Sequence, residues 1–152
     1  MSELNIREVA PGDPELAYLI GKLDEDLRAR YPHETIYGVD FGDPKVRKMT
    51  FVVARADGQP VGCGGIRPLD GSQAELKRFF VDLAYRGSGI AKEMLDALEN
   101  AARRRGFADL LLETGVRQPE AIRFYEKNGY HRIEPFGEYA GDELSVCYRK
   151  TL

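Results

Sequence analysis

Residues 85–95 read YRGSGIAKEML, two glycines and a serine between an apolar, strand-like run and a run with helical periodicity. A strand that hands over to a helix within a few residues confines the chain to few architectures, because the helix must pack back onto the sheet it left. Glycine serves such a turn geometrically, since it adopts φ > 0 without penalty. The same turn also leaves the first N–H groups of the helix aimed at one point, where an anion could be held. The stretch is not a Walker A loop, because the Gly-Lys-Ser/Thr ending is missing, and it lacks the third glycine of a dinucleotide fingerprint. Geometry and anion cradle both remain open on these residues alone.

The flanking pattern supplies the rest of the fold. Asn5–Val9 alternates like a short strand, and Leu16, Leu19, Ile20, Leu23 and Leu27 place an amphipathic helix over about Pro14–Ala29. Residues 31–48 are irregular, with room for another short helix. MTFVVARADGQPVGCGGIRPL (49–69) predicts two strands around an Asp57-Gly58 hairpin turn, and AELKRFFVDL (74–83) a further strand. Ile90, Met94, Ala97, Leu98 and Ala101 form the stripe of a helix from about Gly89 to Arg105, stopped by Gly106. ADLLLET (108–114) is a buried strand. Pro119 opens the next helix and Gly129 closes it. YHRI and LSVCYRK complete the chain as two strands around the loop EPFGEYAGDE (134–143). The order β α (α) β β β α β α β β predicts an antiparallel N-terminal meander followed by a parallel strand-helix-strand unit with a right-handed crossover.

Composition narrows the function. At 152 residues, with 43% hydrophobic and 31% charged side chains, the chain suits one soluble domain over 1–152 and excludes general disorder. A net charge of −3 gives no footing for nucleic acid, and the basic run Arg103-Arg104-Arg105 fits the end of a helix. No apolar run approaches membrane-spanning length and MSELNIREVA has no signal-type core, so no membrane association and a cytoplasmic location are expected. Cys63 and Cys147 lie in apolar, strand-like contexts and read as two buried thiols in a reducing compartment. His33 and His131 are isolated from ligand spacing, so no metal site is expected.

Three linked motifs resemble the GNAT superfamily of acetyl-CoA-dependent N-acetyltransferases. Arg86-Gly87-Ser88-Gly89-Ile90-Ala91 matches its Arg/Gln-x-x-Gly-x-Gly/Ala motif, AELKRFFVDLAYRG is similar to its fourth strand and bulge, and PEAIRFYEKNGY to its late helix. The resemblance spans nearly the whole chain. It implies an α/β fold, a GNAT-like mixed sheet with helices on both faces. It implies that Arg86, Gly87, Ser88, Gly89, Ile90 and Ala91 hold the coenzyme A pyrophosphate, while backbone groups of Phe79, Phe80 and Val81 pair with the pantetheine. Gln118 stands where the family usually has an asparagine that contacts the cofactor. Acetyl-CoA is thus the expected co-substrate. Homodimers are common in that family, although no sequence feature here demands one.

Acetyl transfer from a thioester to an amine sets three demands. The ammonium, with a pKa near ~10, must lose a proton; the tetrahedral oxyanion needs a donor; the leaving thiolate benefits from an acid. Tyr125, at the family's tyrosine position, is the candidate acid, against a plain core role beside Ile122 and Phe124. Glu75 is the first candidate base and Glu113, at the end of LLLE, the second, with water alone as the alternative. Segments 31–44 and 134–143 carry carboxylates and aromatics but no lysine or arginine, and Tyr31, Tyr37, Phe136 and Tyr139 are candidate acceptor contacts. They suggest a small cationic amine as acceptor. The rival classes are a catalytically silent acyl-CoA-binding module and a nucleotide-binding module sharing only the glycine turn.

Overall fold

The computed structural model describes residues 4–32 and 41–152. Seven strands and three helices alternate as β1 (Leu4–Val9), α1 (Pro14–Arg30), β2 (Thr50–Ala56), β3 (Gln59–Pro68), β4 (Gln73–Val81), α2 (Ile90–Arg104), β5 (Asp109–Gly115), α3 (Pro119–Lys127), β6 (His131–Ile133) and β7 (Ser145–Thr151). The irregular stretch before β2 contributes a 3-10 turn at Pro44–Lys48. Asp13 caps α1, its carboxylate accepting from the N–H groups of Glu15 and Leu16, and Pro14 fills the first helical position. Asp57 and Gly58 both take positive φ, as a two-residue hairpin turn between β2 and β3 requires.

The strands form one mixed sheet in the order β1-β2-β3-β4-β5-β7-β6. β1 to β4 are an antiparallel meander, and β4 and β5 are the parallel pair joined through α2. α1 covers one face, where Leu16, Leu19 and Leu23 pack on Phe51, Val53, Cys63 and Phe80. α2 and α3 cover the other, where Leu95, Leu98 and Tyr125 pack on Leu76, Leu110 and Leu112. Cys63 and Cys147 are free and buried.

Two irregularities of β4 matter most. First, its pairing with β3 slips: Gly65 faces Lys77, but Cys63 faces Phe80, so Arg78 and Phe79 together oppose Gly64. Arg78 sits at φ 56°, a left-handed conformation that costs an arginine about 1 kcal/mol. The extra residue resets the alternation, so Lys77 and Arg78 both address the α1 side while Phe79 joins the α2 side. Second, β4 pairs with β5 only from Gln73–Leu76 against Asp109–Leu112. Both strands continue, to Val81 and Gly115, without pairing each other. The sheet is split there.

The α2 side is held close by missing side chains on β3. A Cβ on Gly62 would lie 2.5 Å from the Met94 sulfur and 3.0 Å from the Phe80 carbonyl oxygen; one on Gly64 would lie 2.8 Å from Leu98. Met94 is fully buried and the carbonyl belongs to β4, so neither neighbour can yield cheaply. Gly62→Ala is therefore expected to cost about 1–3 kcal/mol, read as a lower denaturation midpoint with an unchanged denaturant slope.

Candidate active site

The split between β4 and β5 opens into a cavity of about 360 Å³ that passes between the two faces of the sheet. Leu76, Phe79, Phe80 and Val81 of β4 line one wall, and Leu112, Glu113 and Thr114 of β5 the other. Leu23, Asp26, Leu27 and Arg30 reach it from α1; Ala121, Phe124 and Tyr125 reach it from α3; Arg86, Gly87 and Ala91 lie at its α2 end. No helix in the described residues is long and apolar enough to cross a membrane, and no three His, Cys, Asp or Glu side chains gather as metal ligands there.

The glycine turn forms the mouth of this cavity. Gly87 and Gly89 adopt φ of 84° and 85°, and α2 begins at Gly89 with no side chain capping its first turn. A Cβ at Gly89 would meet no atom within 4 Å, so the backbone conformation, not local crowding, demands glycine there. The Ser88 hydroxyl donates to the Tyr85 carbonyl. The Arg86 guanidinium donates through Nε to the Val81 carbonyl at 2.9 Å and lies over the Phe80 ring. Arg86 thus fastens the turn to the end of β4.

Glu113 and Tyr125 meet at the cavity from opposite sides of the sheet. Glu113 accepts a 2.7 Å hydrogen bond from the Ser145 hydroxyl, and burial pushes its carboxyl above the usual carboxylate range. The Tyr125 ring packs edge-on against Phe79, Phe124 and Tyr130. Burial, and secondarily the Glu113 charge, pushes its phenol up. None of the described residues hydrogen-bonds the Tyr125 hydroxyl. Gln118 lines the cavity too, but its side-chain oxygen already accepts from the Gly115 N–H at 3.1 Å.

Glu75 lies elsewhere. Its side chain is enclosed beside β3, with Arg67 Nη2 at 2.5 Å on one oxygen and the Tyr139 hydroxyl donating at 2.5 Å to the other. Lys77 donates to the same Tyr139 oxygen at 3.0 Å and stands 3.8 Å from Glu138. Glu75 belongs to a buried hydrogen-bonded network and does not line the cavity. Tyr139 is consumed by that network, with Phe136 stacked edge-on behind it at 5.2 Å.

Tyr31 is also outside the lining. Its hydroxyl accepts from the Arg117 N–H, its ring lies under the Arg117 guanidinium, and it fills the space a Cβ on Gly115 would need. Around it, Arg30 donates to the Arg117 carbonyl and pairs with Glu120 at 2.5 Å, while Arg117 donates to the Arg30 carbonyl. This clasp ties the end of α1 to the turn before α3, across the rim of the cavity. Tyr37 falls outside the described residues. Asp26, Arg30, Thr114 and Glu120 also line the cavity with no local motif to mark them, and Arg30 meets Glu120 only because segments distant in sequence come together.

The sequence profile of the Acetyltransferase (GNAT) family matches residues 16–130. Over the full length of both proteins the chain is 37% identical to an IAA acetyltransferase of Azospirillum brasilense. It is 31% identical to the N-acetyltransferase YsnE of Bacillus subtilis, an uncharacterized protein, over 80% of this chain and 82% of that one. A Klebsiella pneumoniae protein assigned as an acyl-CoA N-acyltransferase superposes with a TM-score of 0.87 at 33% identity, covering 98% and 97% of the two chains. A Thermoplasma acidophilum N-acetyltransferase in complex with coenzyme A shares the fold, with a TM-score of 0.74 at 20% identity over 99% of each chain. The chain belongs to the Acetyltransferase (GNAT) family and is an acetyl-CoA-dependent N-acetyltransferase.

Proposed function

We propose that the chain acetylates the primary amine of a small molecule by direct attack within a ternary complex, with Glu113 as base and Tyr125 as acid. The observation that carries this reading is the convergence of these two groups on one cavity where β4 and β5 part. Acetyl-CoA lies along the split, its diphosphate on the turn Arg86–Ala91 and its pantetheine against Phe79, Phe80 and Val81. The free N–H groups of the uncapped α2 start and its dipole favour the anion.

The acceptor enters from the α1 side, where Leu23 and Leu27 offer apolar contact. Glu113, directly or through water, removes a proton from the ammonium, and the freed lone pair attacks the thioester carbonyl carbon. A backbone N–H near Val81 supports the oxyanion. As the C–S bond breaks, the departing thiolate takes the Tyr125 proton; the surplus proton on the nitrogen passes through water to the tyrosinate, leaving a neutral amide and a restored phenol, and Glu113 returns its proton to solvent. Desolvation raises the phenol, but it raises the thiol beside it as well, so what matters is the difference between the two. The elevated Glu113 pKa brings this base nearer to the amine it serves, which favours proton transfer at neutral pH.

Glu75 is less suited to the base role, because both its oxygens are already hydrogen-bonded and it does not line the cavity. A cation-selecting acceptor surface made by segments 31–44 and 134–143 also draws less support. Tyr139 and Glu138 serve Lys77, and among the described residues the cavity lining balances Asp26, Glu113 and Glu120 against Arg30, Arg78 and Arg86. The relative named as an IAA acetyltransferase supports a small-molecule acceptor.

A panel of small primary amines, assayed by release of free thiol from acetyl-CoA, tests the activity and supplies an acceptor. With that acceptor, Tyr125→Phe should lower kcat by about 10²-fold with little change in acetyl-CoA affinity; activity within twofold of the parent would make the tyrosine a packing residue. The active form of Glu113 is deprotonated, so kcat/KM should fall as pH drops through a midpoint above the ordinary carboxylate value of ~4.3. Glu113→Gln should abolish that limb, and an unchanged limb would assign the proton to water. Gly89→Val, forced to φ 85°, should weaken acetyl-CoA binding more than about tenfold by calorimetry; unaltered affinity in a folded variant would contradict the diphosphate cradle.

A further inference from the structure

The start of β7 places a hydroxyl on the carboxylate that the proposed chemistry uses. Ser145 is buried, and its Oγ donates at 2.7 Å to Glu113 Oε2. Its position is not left to the strand alone. Asp142 closes a turn in which its carboxylate accepts from the Leu144 N–H at 2.9 Å and its carbonyl accepts from the Ser145 N–H. The Leu144 carbonyl then accepts from the Val116 N–H, just beyond β5, and Ser145 pairs in register with Gly115. Serine and glutamate are therefore fixed on adjacent strands by backbone bonds on both sides of the contact. No residue of the loop 134–143 lines the cavity; the segment bears on it through the contact of Ser145 with Glu113.

We propose that Ser145 is a positioning residue for the general base: its hydroxyl holds the Glu113 carboxylate in one rotamer, leaves the other oxygen free for the acceptor ammonium, and sets the pH range in which the base is ionised. The proposal rests on Glu113 being that base. A hydroxyl hydrogen can be given to a carboxylate but gains nothing comparable from a protonated acid, so the contact favours the charged form. It thereby opposes desolvation, which drives the carboxyl upward. Other groups bear on the same carboxylate. From β4, Lys77 favours the anion and Glu75 disfavours it; from the loop before β7, Asp142 disfavours it. Tyr125 of α3, Tyr31 after α1, Tyr139 and the paired Cys147 of β7 also lie within its field. Among the described residues, Ser145 is the one that hydrogen-bonds the Glu113 carboxylate.

Carbon-13 NMR of side-chain carboxyl groups in glutamate-labelled protein tests this without any acceptor, with Glu113→Gln identifying the resonance. Ser145→Ala should raise the Glu113 midpoint by about one pH unit, the scale of one lost hydrogen bond to a charged group. Ser145→Thr, which keeps the hydroxyl, should restore it to within a few tenths. With an acceptor from the amine panel, the acidic limb of kcat/KM should move upward in Ser145→Ala by the same amount, with acetyl-CoA affinity unchanged. An unmoved midpoint in folded Ser145→Ala overturns the proposal; should that variant fail to fold, a midpoint in Ser145→Cys equal to that of the parent overturns it equally. If Glu113→Gln keeps full turnover, the proposal falls with the base assignment, through kinetics and not through the titration.

Discussion

Two parallel strands that stop pairing partway leave backbone edges facing an open gap, and the rest of the site depends on that gap. β4 and β5 hold together for four residues each, then run on to Val81 and Gly115 without contact through hydrogen bonds. A closed sheet would present no edge to a ligand. The split persists because each strand has a partner on its outer side: β3 holds the end of β4, and β7 holds the end of β5. The bulge at Arg78 adds twist where the strands diverge, and an ion pair with Asp24 of α1 secures the bulged residue. The cost of a left-handed arginine is thus met by contacts on the helix that lines the other side of the cavity.

Among the described residues, ionisable groups around the gap divide into those held in side-chain networks and those left open to the cavity, Glu113 and Tyr125. Arg67, Glu75, Tyr139 and Lys77 are linked to one another, with Glu75, Tyr139 and Lys77 buried and Arg67 half-buried at the edge of the set. Such a network rigidifies the sheet, and removing one member would strand a buried charge. Glu99, Tyr130 and Lys150 form a second set on the α2 face, placing the Tyr130 ring against Tyr125. Glu113 has a single hydroxyl donor and an open side. A carboxylate that is buried yet only partly satisfied is poised for proton transfer, whereas one with full partners is not.

Much of this was legible in the sequence. The stripes Leu16–Leu27 and Ile90–Ala101, the Asp57-Gly58 turn and the Pro119 start each act through local geometry, and each element formed where its residues placed it. The glycine turn could be read as a strand-to-helix junction for the same reason. Ranking Glu75 above Glu113 depended on something sequence does not carry. Both are strand glutamates, and they differ only in which neighbours arrive from elsewhere: Arg67 and Tyr139 for one, Ser145 for the other. Composition likewise points Tyr31 at the acceptor, while its packing against Gly115 and Arg117 is a long-range contact that composition does not carry. Arg30 and Glu120 have no motif at all.

The central claim is that the split between β4 and β5 receives the thioester arm of acetyl-CoA. Backbone amide hydrogen exchange, followed residue by residue with and without saturating acetyl-CoA, addresses it most directly, because exchange reports new partners for backbone groups. Slowed exchange confined to the ends of β4 and β5, at 79–81 and 113–115, together with the turn 86–91, is the predicted result. Protection at the turn alone, with the strand ends exchanging as in the free protein, would contradict the claim.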